Sequence, residues 1–392
     1  MAIIYLDNNA TTRVAPEVRE ALLPFLDELY GNPSSPHHFG GQVEKYLTIA
    51  RTQLAELLGC RPKEITFTSG GTESDNLAIR GVLAARPEKR HIITSQVEHS
   101  AVLVQCQELS RQGYHVDFLT VDSDGQIDLE DLENKIQQDT ALVSIMWANN
   151  ETGVLFPIES ISQICKAHRV PLHVDAVQAV GKIPINLGST HIDLLSLSGH
   201  KIHAPKGVGA LYVRTGLRIR PITWGGHQER GKRPGTEPVP LIVGLGKAAE
   251  LAHGWIDEEQ NRVRQLRNML ETGLAGSIAN LQVNGAGSPR LPNTLNVCFK
   301  GVEGEALLLL MDQMGMAASS GSACLADKLE PSHVLLAMGV PESVAQGAVR
   351  FSLSRYNTEE EIREVLKVIP GLNEKVLQLS KAADPVKEMV SP

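Results

Sequence analysis

Apolar and polar positions follow two alternating periods along this chain. Residues 42–58 put Val43, Tyr46, Leu47, Ala50, Leu54, Leu57 and Leu58 at helical spacing, and Gly59 stands where that helix should stop. Beyond it, short apolar runs of strand length alternate with helical-period segments. The spacing predicts strands at 65–68, 91–95, 116–121, 141–147, 171–174, 193–197 and 209–213, and helices at 72–83, 101–111, 129–137 and 158–167. Such alternation indicates βαβ units and a mostly parallel sheet, so an α/β fold. A polar helix at about 257–275 separates this region from the last third. There a strand at 295–299, a helix at 305–314, a Ser/Gly loop, a helix at 332–338, a strand at 349–353 and a helix at 359–369 read as a smaller α+β domain. Residues 1–7 read as a strand, no internal repeat is visible, and the tail after about 382 is polar.

Composition narrows the function classes. The chain has 392 residues, 42% hydrophobic and 21% charged, enough for one large core and a smaller second one. A net charge of -8 argues against a general nucleic-acid or membrane binder, although Arg218, Arg220, Arg230, Lys232 and Arg233 make a local basic group. No apolar run reaches the length of a membrane span, and the N-terminus has no basic, signal-like start. A cytoplasmic protein is expected. The five cysteines, an odd number without CxxC, speak against a disulfide framework or a four-cysteine zinc site. Cys106, Cys165 and Cys298 lie in apolar-periodic segments and are expected in the core, while Cys60 follows a helix end. The 13 histidines are scattered, without HExxH or HxH…D, so no resident metal is expected.

The candidate chemistry lies where strands should end. Asp175 closes one apolar run and Lys201 follows another, 26 positions later. A buried lysine beside a carboxylate is either a structural ion pair or the equipment of pyridoxal phosphate, which needs an amine for its Schiff base and an acid for its ring nitrogen. Ser69-Gly70-Gly71-Thr72 joins a strand to a helix and can cradle a phosphate or simply turn the chain. Ser198 and His200 stand close by in sequence. His99, after the strand at 91–95, could stack on a flat ring and shuttle protons, or be structural. Gln178 sits one helical turn beyond Asp175 and could reach a ring hydroxyl. Asn150, in a turn, and Arg350, inside a strand, could hold a substrate carboxylate. Cys324 ends the small-residue run Ser319-Ser320-Gly321-Ser322-Ala323, where an accessible thiol is a candidate nucleophile. The long polar segment Gly225 to Thr236 suggests a site or a subunit contact.

Together these segments resemble the NifS/IscS-type cysteine desulfurases of the class V aminotransferases. The resemblance runs from Tyr5-Leu6-Asp7-Asn8-Asn9-Ala10-Thr11-Thr12 to Arg350-Phe351-Ser352-Leu353. It includes Gly31-Asn32-Pro33-Ser34-Ser35, Asn149-Asn150-Glu151-Thr152-Gly153 and Ser198-Gly199-His200-Lys201. Gly226-His227-Gln228-Glu229-Arg230 and Ser352-Leu353-Ser354-Arg355-Tyr356 look closest to the NifS branch. The resemblance implies fold type I of the pyridoxal-phosphate enzymes. That is a large domain, 15–257, with a mostly parallel sheet of the seven-stranded type covered by helices. The small α+β domain, 1–14 and 258–392, would carry the cysteine loop. It implies that Lys201 bonds the cofactor and moves protons, Asp175 pairs with the ring nitrogen, His99 stacks on the ring and Gln178 bonds its hydroxyl. Gly71, Thr72, Ser198 and His200 would hold the phosphate, with Thr236 reaching it from the partner subunit of a homodimer. Asn150 and Arg350 would hold L-cysteine, and Cys324 would take its sulfur as a persulfide. The sulfur would pass to an acceptor such as an iron–sulfur scaffold protein, whose cluster Cys324 could transiently touch. Pro234, Pro238 and Leu325-Ala326-Asp327-Lys328 depart from the usual pattern, which bears on acceptor choice. A selenocysteine lyase is the alternative on the same fold. An aminotransferase would not need Cys324, and a non-catalytic binding protein would need none of these residues.

Overall fold

The computed structural model describes residues 3–320 and 331–383, with side chains to residue 380. Its largest element is a seven-stranded sheet. After a short first strand, β1 (Ile4–Tyr5), the chain supplies β2 (Ile65–Thr68), β3 (His91–Ser95), β4 (His115–Leu119), β5 (Thr140–Met146), β6 (Leu172–Asp175), β7 (Leu194–Ser198) and β8 (Gly209–Val213). The spatial order is β2-β8-β7-β6-β5-β3-β4. Only β8 runs against the rest. Every residue of β2, β3, β5, β6, β7 and β8 is buried, because helices cover both faces. On one side the helices Gly71–Ala85 and Ser100–Arg111 pack Leu77, Val82, Val102 and Leu109 onto Ile92, Leu142 and Leu211. On the other, Leu54 and Leu58 of His38–Leu58 join Ile145, Val174 and Leu195. The His38–Leu58 helix ends at Gly59, as its spacing predicts.

A second core gathers the rest. The strands β9 (Leu281–Val283), β10 (Thr294–Phe299) and β12 (Ala348–Ser352) form an antiparallel sheet in the order β12-β10-β9. The helices Arg264–Ser277, Gly304–Gln313 and Glu359–Ala383 supply Leu270, Leu307, Met311, Ile362 and Val365 to Leu295, Val297, Phe299, Val349 and Phe351. A two-residue strand, β11 (Met316–Ala317), pairs in parallel with β1. Leu6, fully buried, joins this second core, and the next residues cross from it to the large sheet's rim.

Two helices differ from the sequence expectation. The predicted helix at 257–275 is the second half of a longer rod: Val239–Glu258, a π turn at Glu259–Val263, then Arg264–Ser277. Its first half is apolar on several sides, with Leu241, Val243 and Leu251 beside the buried Val239, Ile242 and Leu245, which blurs the periodic signal, and Gly244 and Gly246 occupy packed positions. A Cβ on Gly246 would lie 2.5 Å from Ala50 Cα, so glycine there lets two helices meet backbone to backbone. The last helix continues to Ala383 instead of ending near Ile369, although Pro370 removes one ladder donor. Val376, with Leu372 and Leu377, extends the apolar stripe past the proline, and that burial outweighs one lost bond. The strands β9 and β11 are too short to carry a pattern. Among the described residues no helix is long and apolar enough to cross a membrane.

Candidate functional site

Because β2, β3, β5, β6 and β7 all run the same way, the segments that follow them open on one rim. Asp175 is the last residue of β6, and its Oδ1 accepts the Val177 N–H at 2.9 Å. Ser198 ends β7, and a 3-10 turn, Gly199–Lys201, carries Lys201 over the rim. Lys201 Nζ donates to the Asn9 carbonyl and, at 2.9 Å, to that of Ala10. The helix Gly71–Ala85 starts directly above Ser198, with Gly70 at its cap and no side chain satisfying its first N–H groups. A Cβ on Gly71 would sit 2.8 Å from Val177 Cγ2, so only glycine leaves this approach open. Thr72, beside it, is exposed. His99 caps the helix Ser100–Arg111, its Nδ1 accepting the Ala101 N–H at 3.2 Å. That bond leaves Nε2 to carry the ring proton when the imidazole is neutral.

Electrostatics tie these groups together. Burial raises the Asp175 carboxyl above its ordinary range, against the opposing pull of His99, the Val177 N–H and Lys201. Burial lowers the His99 imidazole, with Asp175 opposing and Lys201 adding to the fall. Two further acids lie beneath the rim. Glu98, fully buried between Ser95 Oγ and the Met146 N–H, is pushed up to about 8 by burial. Asp75 is raised well above its usual value, by burial first and then by Asp175. At about 8, Glu98 is therefore largely protonated at neutral pH.

The sequence reading passed over two buried residues that organise this rim, Asn9 and Lys182. Asn9 accepts through its carbonyl from Gln178 Nε2 (3.0 Å) and Lys201 Nζ, and through Oδ1 from Lys182 Nζ (3.1 Å) and Asn293 Nδ2 (3.1 Å). Its Nδ2 donates to the Asn150 carbonyl at 3.2 Å and to Thr294 Oγ1 at 2.9 Å. Lys182 also donates to Gln178 Oε1 at 2.8 Å. An ammonium is donor only, so it fixes the Gln178 amide with oxygen toward Lys182 and nitrogen away. Burial, and next the Lys201 charge, pull Lys182 down to about 7. A signal for it exists in the sequence: it stands four residues after Gln178, in the apolar stretch that continues from Asp175.

The remaining expected residues are placed unevenly. Asn149 Oδ1 caps its own turn by accepting from Glu151 N and Thr152 N at 2.9 Å, which presents Asn150 at the rim. Arg350, on β12 and buried, donates to the Asn150 carbonyl at 2.9 Å and to Asp7 Oδ1 at 2.8 Å, while its Nε has no partner among the described residues. His200 turns to Thr11, with Nδ1 3.2 Å from Thr11 Oγ1, and burial lowers it to about 4. Thr236 is exposed and apart from the cluster. Its segment is anchored behind the phosphate-type turn: Arg51 forks onto the Glu229 carboxylate at 2.7 and 2.8 Å, and Arg233 bonds Glu73 at 3.0 Å. Cys324 lies outside the described residues. Its described flanks touch the site, with Ser319 paired to Arg350 and Ser332 bonded to buried Glu151. His333 Nε2 lies 3.1 Å from the Glu98 carbonyl.

Chemically, one rim thus offers a primary amine, a buried carboxylate, an imidazole, an oriented amide and an uncapped helix start suited to a dianion. Known proteins resemble this chain over nearly its whole length. The aminotransferase class-V family profile matches residues 4–365. A cysteine desulfurase of Trichormus variabilis is 57% identical over 380 residues, 97% of this chain and 95% of that protein. The cysteine desulfurase NifS of Azotobacter vinelandii is 53% identical over 373 residues, 95% of this chain and 93% of that protein. A solved NifS-like protein superposes with a TM-score of 0.88 at 43% identity, over 94% of this chain and 99% of that one. The fold, the rim and these likenesses agree: the chain belongs to the aminotransferase class-V family, on the branch that the cysteine desulfurases occupy.

Proposed function

We propose that this chain is a cysteine desulfurase that converts L-cysteine to L-alanine and hands the sulfur on as a persulfide. The observation that carries the reading is the convergence of Lys201, Asp175, His99 and the uncapped Gly71 helix on one rim. That set fits pyridoxal 5'-phosphate, the cofactor of the family. The helix start at Gly71, which has no side-chain cap, suits its phosphate. Gly71, Thr72 and Ser198 would hold that phosphate, with His200 beside them and Thr236 contributed by the partner subunit. When bound, the cofactor supplies an electron sink for the bond between the substrate's Cα and its proton.

The protein's own groups do the rest. Lys201 Nζ takes the Cα proton and returns one later, which its position on a short turn over the rim allows. Asp175, at the end of β6, would keep a proton on the ring nitrogen. His99 would stack on the ring, and Gln178, its amide oriented by Lys182, would bond the ring hydroxyl. Asn150 and the Arg350 fork, whose Nε has no partner among the described residues, would hold the substrate carboxylate.

The Cys324 thiolate then bonds the substrate sulfur as the carbon–sulfur bond breaks. Two features support this residue. Burial pushes Cys60, Cys106 and Cys165 up to about 12 and also raises Cys298, so none of the four is a thiolate at neutral pH. The described flanks of the cysteine segment bond Arg350 and Glu151 at the site. A homodimer accords with the exposed Leu23, Leu26, Tyr30, Phe39 and Ile49 near the N-terminal helices. The cytoplasm and an iron–sulfur scaffold or other thiol acceptor complete the reading. Mass spectrometry after incubation with L-cysteine tests it. A sulfur adduct on Cys324, with alanine formed in step, is expected, and an adduct confined to the other four cysteines would overturn it.

A further inference from the structure

At the opposite rim, the strand starts carry a second cluster. β3 and β4 pair in parallel with His91 opposite His115 and Ile93 opposite Asp117. Paired residues of parallel strands share a face, and so do positions two apart on one strand, so His91, His115 and Asp117 project from the same side. Their ligand atoms all lie within 4.8 Å of one another. His91 Nε2 is 3.0 Å from Asp117 Oδ2, and His115 Nε2 is 3.9 Å from Asp117 Oδ1. The two imidazoles stack with centroids 4.7 Å apart and planes 23° from parallel.

We propose that His91, His115 and Asp117 bind a divalent ion of the zinc, nickel or cobalt kind. Two nitrogens and one carboxylate oxygen favour such ions over magnesium or calcium, which take oxygen ligands. The bound cation replaces the proton between His91 Nε2 and Asp117 Oδ2. The opposite ring nitrogen, His91 Nδ1, lies 2.8 Å from Thr140 Oγ1 on neighbouring β5 and holds the ring in place. Thr140 Oγ1 is itself held by the Gln137 N–H at 2.8 Å. This is the outer support that metal-binding histidines use. His91 is fully buried, whereas the His115 side chain is 60% exposed, which gives the ion an entry path. Three protein ligands leave positions for water.

The site lies at the strand starts, on the far side of the sheet from Lys201, so it takes no part in the sulfur chemistry. Its effect is mechanical. β4 is the outermost strand on this side of the sheet, and a cation bridging it to β3 clips that edge and stabilises only the folded state.

Nickel chloride titrated into the cofactor-loaded full chain tests the proposal, by calorimetry for stoichiometry and by thermal unfolding. One ion per chain and a rise in Tm of about 3 °C or more are expected. The same result is expected in Cys324→Ser, which removes a competing thiol. His115→Ala, at an exposed position, should fold normally, make alanine at the wild-type rate and bind nickel at least about tenfold more weakly. Asp117→Asn should weaken binding likewise. Unchanged nickel binding in His115→Ala and Asp117→Asn, or binding that disappears with Cys324, would overturn the site and leave His91 and Asp117 as a hydrogen-bonded pair.

Discussion

Replacing Lys182 by methionine keeps the volume and removes a buried ammonium, and its effect on stability has a definite pH dependence. Burial lowers this lysine from 10.5 to about 7. An unfolded chain therefore binds the proton more tightly than the fold, and holding Lys182 charged destabilises the fold fully below pH 7. The penalty shrinks as pH rises and vanishes above the unfolded value. At pH 6 the two states differ by the whole shift of about 3.5 units. At pH 9 about 1.5 units remain, so the wild type regains about 3 kcal/mol across that range. Lys201, Arg350 and Glu259 face Lys182. Glu259, raised to about 7 by burial, is held down by Lys182 and rises further without it, which acts in the same direction. Against this stands the orphaned Gln178 Oε1, costing about 1–3 kcal/mol at every pH, while Asn9 Oδ1 keeps its bond from Asn293 Nδ2. The gap between mutant and wild-type Tm should therefore be most favourable to Lys182→Met at pH 6. It should fall by about 4 °C by pH 9, at roughly 1.5 °C per kcal/mol for a chain this long. Thermal unfolding of both proteins at matched concentration measures it. A gap independent of pH would mean that Lys182 keeps an ordinary affinity for its proton, and the network reading would fail.

Four other outcomes follow from the same site. Glu98→Gln mimics a carboxyl that is protonated up to about pH 8, so its Tm gap should run the opposite way, improving for the mutant as pH rises from 5 to 9. A flat gap would deny the raised carboxyl. Lys201→Ala should lose the lysine–cofactor link that borohydride traps, which peptide mapping reads directly, while the circular dichroism spectrum stays that of the wild type. Asp175→Asn should lower alanine formation by about a hundredfold or more, since a neutral amide does not hold the ring nitrogen's proton, and near-normal turnover would exclude the role. Cys324→Ala should still bind L-cysteine with a colour change but yield no persulfide and almost no alanine. Retained alanine formation would point to a reaction that needs no thiol.

Legibility in this chain follows from where each constraint originates. The large sheet could be read because helices cover both its faces, so its strands are short, buried runs rich in apolar and β-branched residues: β2, β3 and β8 begin and end at the predicted residues. The rim residues could be read for the same reason, since a polar side chain directly after such a run, as at Asp175 or Lys201, must sit at a strand's end. The helix Val239–Glu258 could not, because Leu241, Val243 and Leu251 flank its buried face of Val239, Ile242, Leu245, Ala248, Ala249 and Ala252 and blur the period, and the close contact of Gly246 with Ala50 exists only after folding.

Asn9 and Lys182 were hidden by a different cause. Asn9 is one of two adjacent asparagines in a short N-terminal run, and its importance comes from topology. The chain must first build β1 into the second core, then cross to the sheet's rim, before one residue can touch Gln178, Lys182, Asn150, Asn293 and Thr294 together. No local pattern encodes a junction among segments up to 285 positions apart. Yet the junction has a local consequence. Once Asn9 Oδ1 and Gln178 Oε1 both face Lys182, the lysine is committed to donating, the amide cannot flip, and the nitrogen of Gln178 is turned from Lys182 whatever ligand arrives. Sequence periodicity places the strand ends, and buried hydrogen-bond valence then decides which atom each side chain presents there.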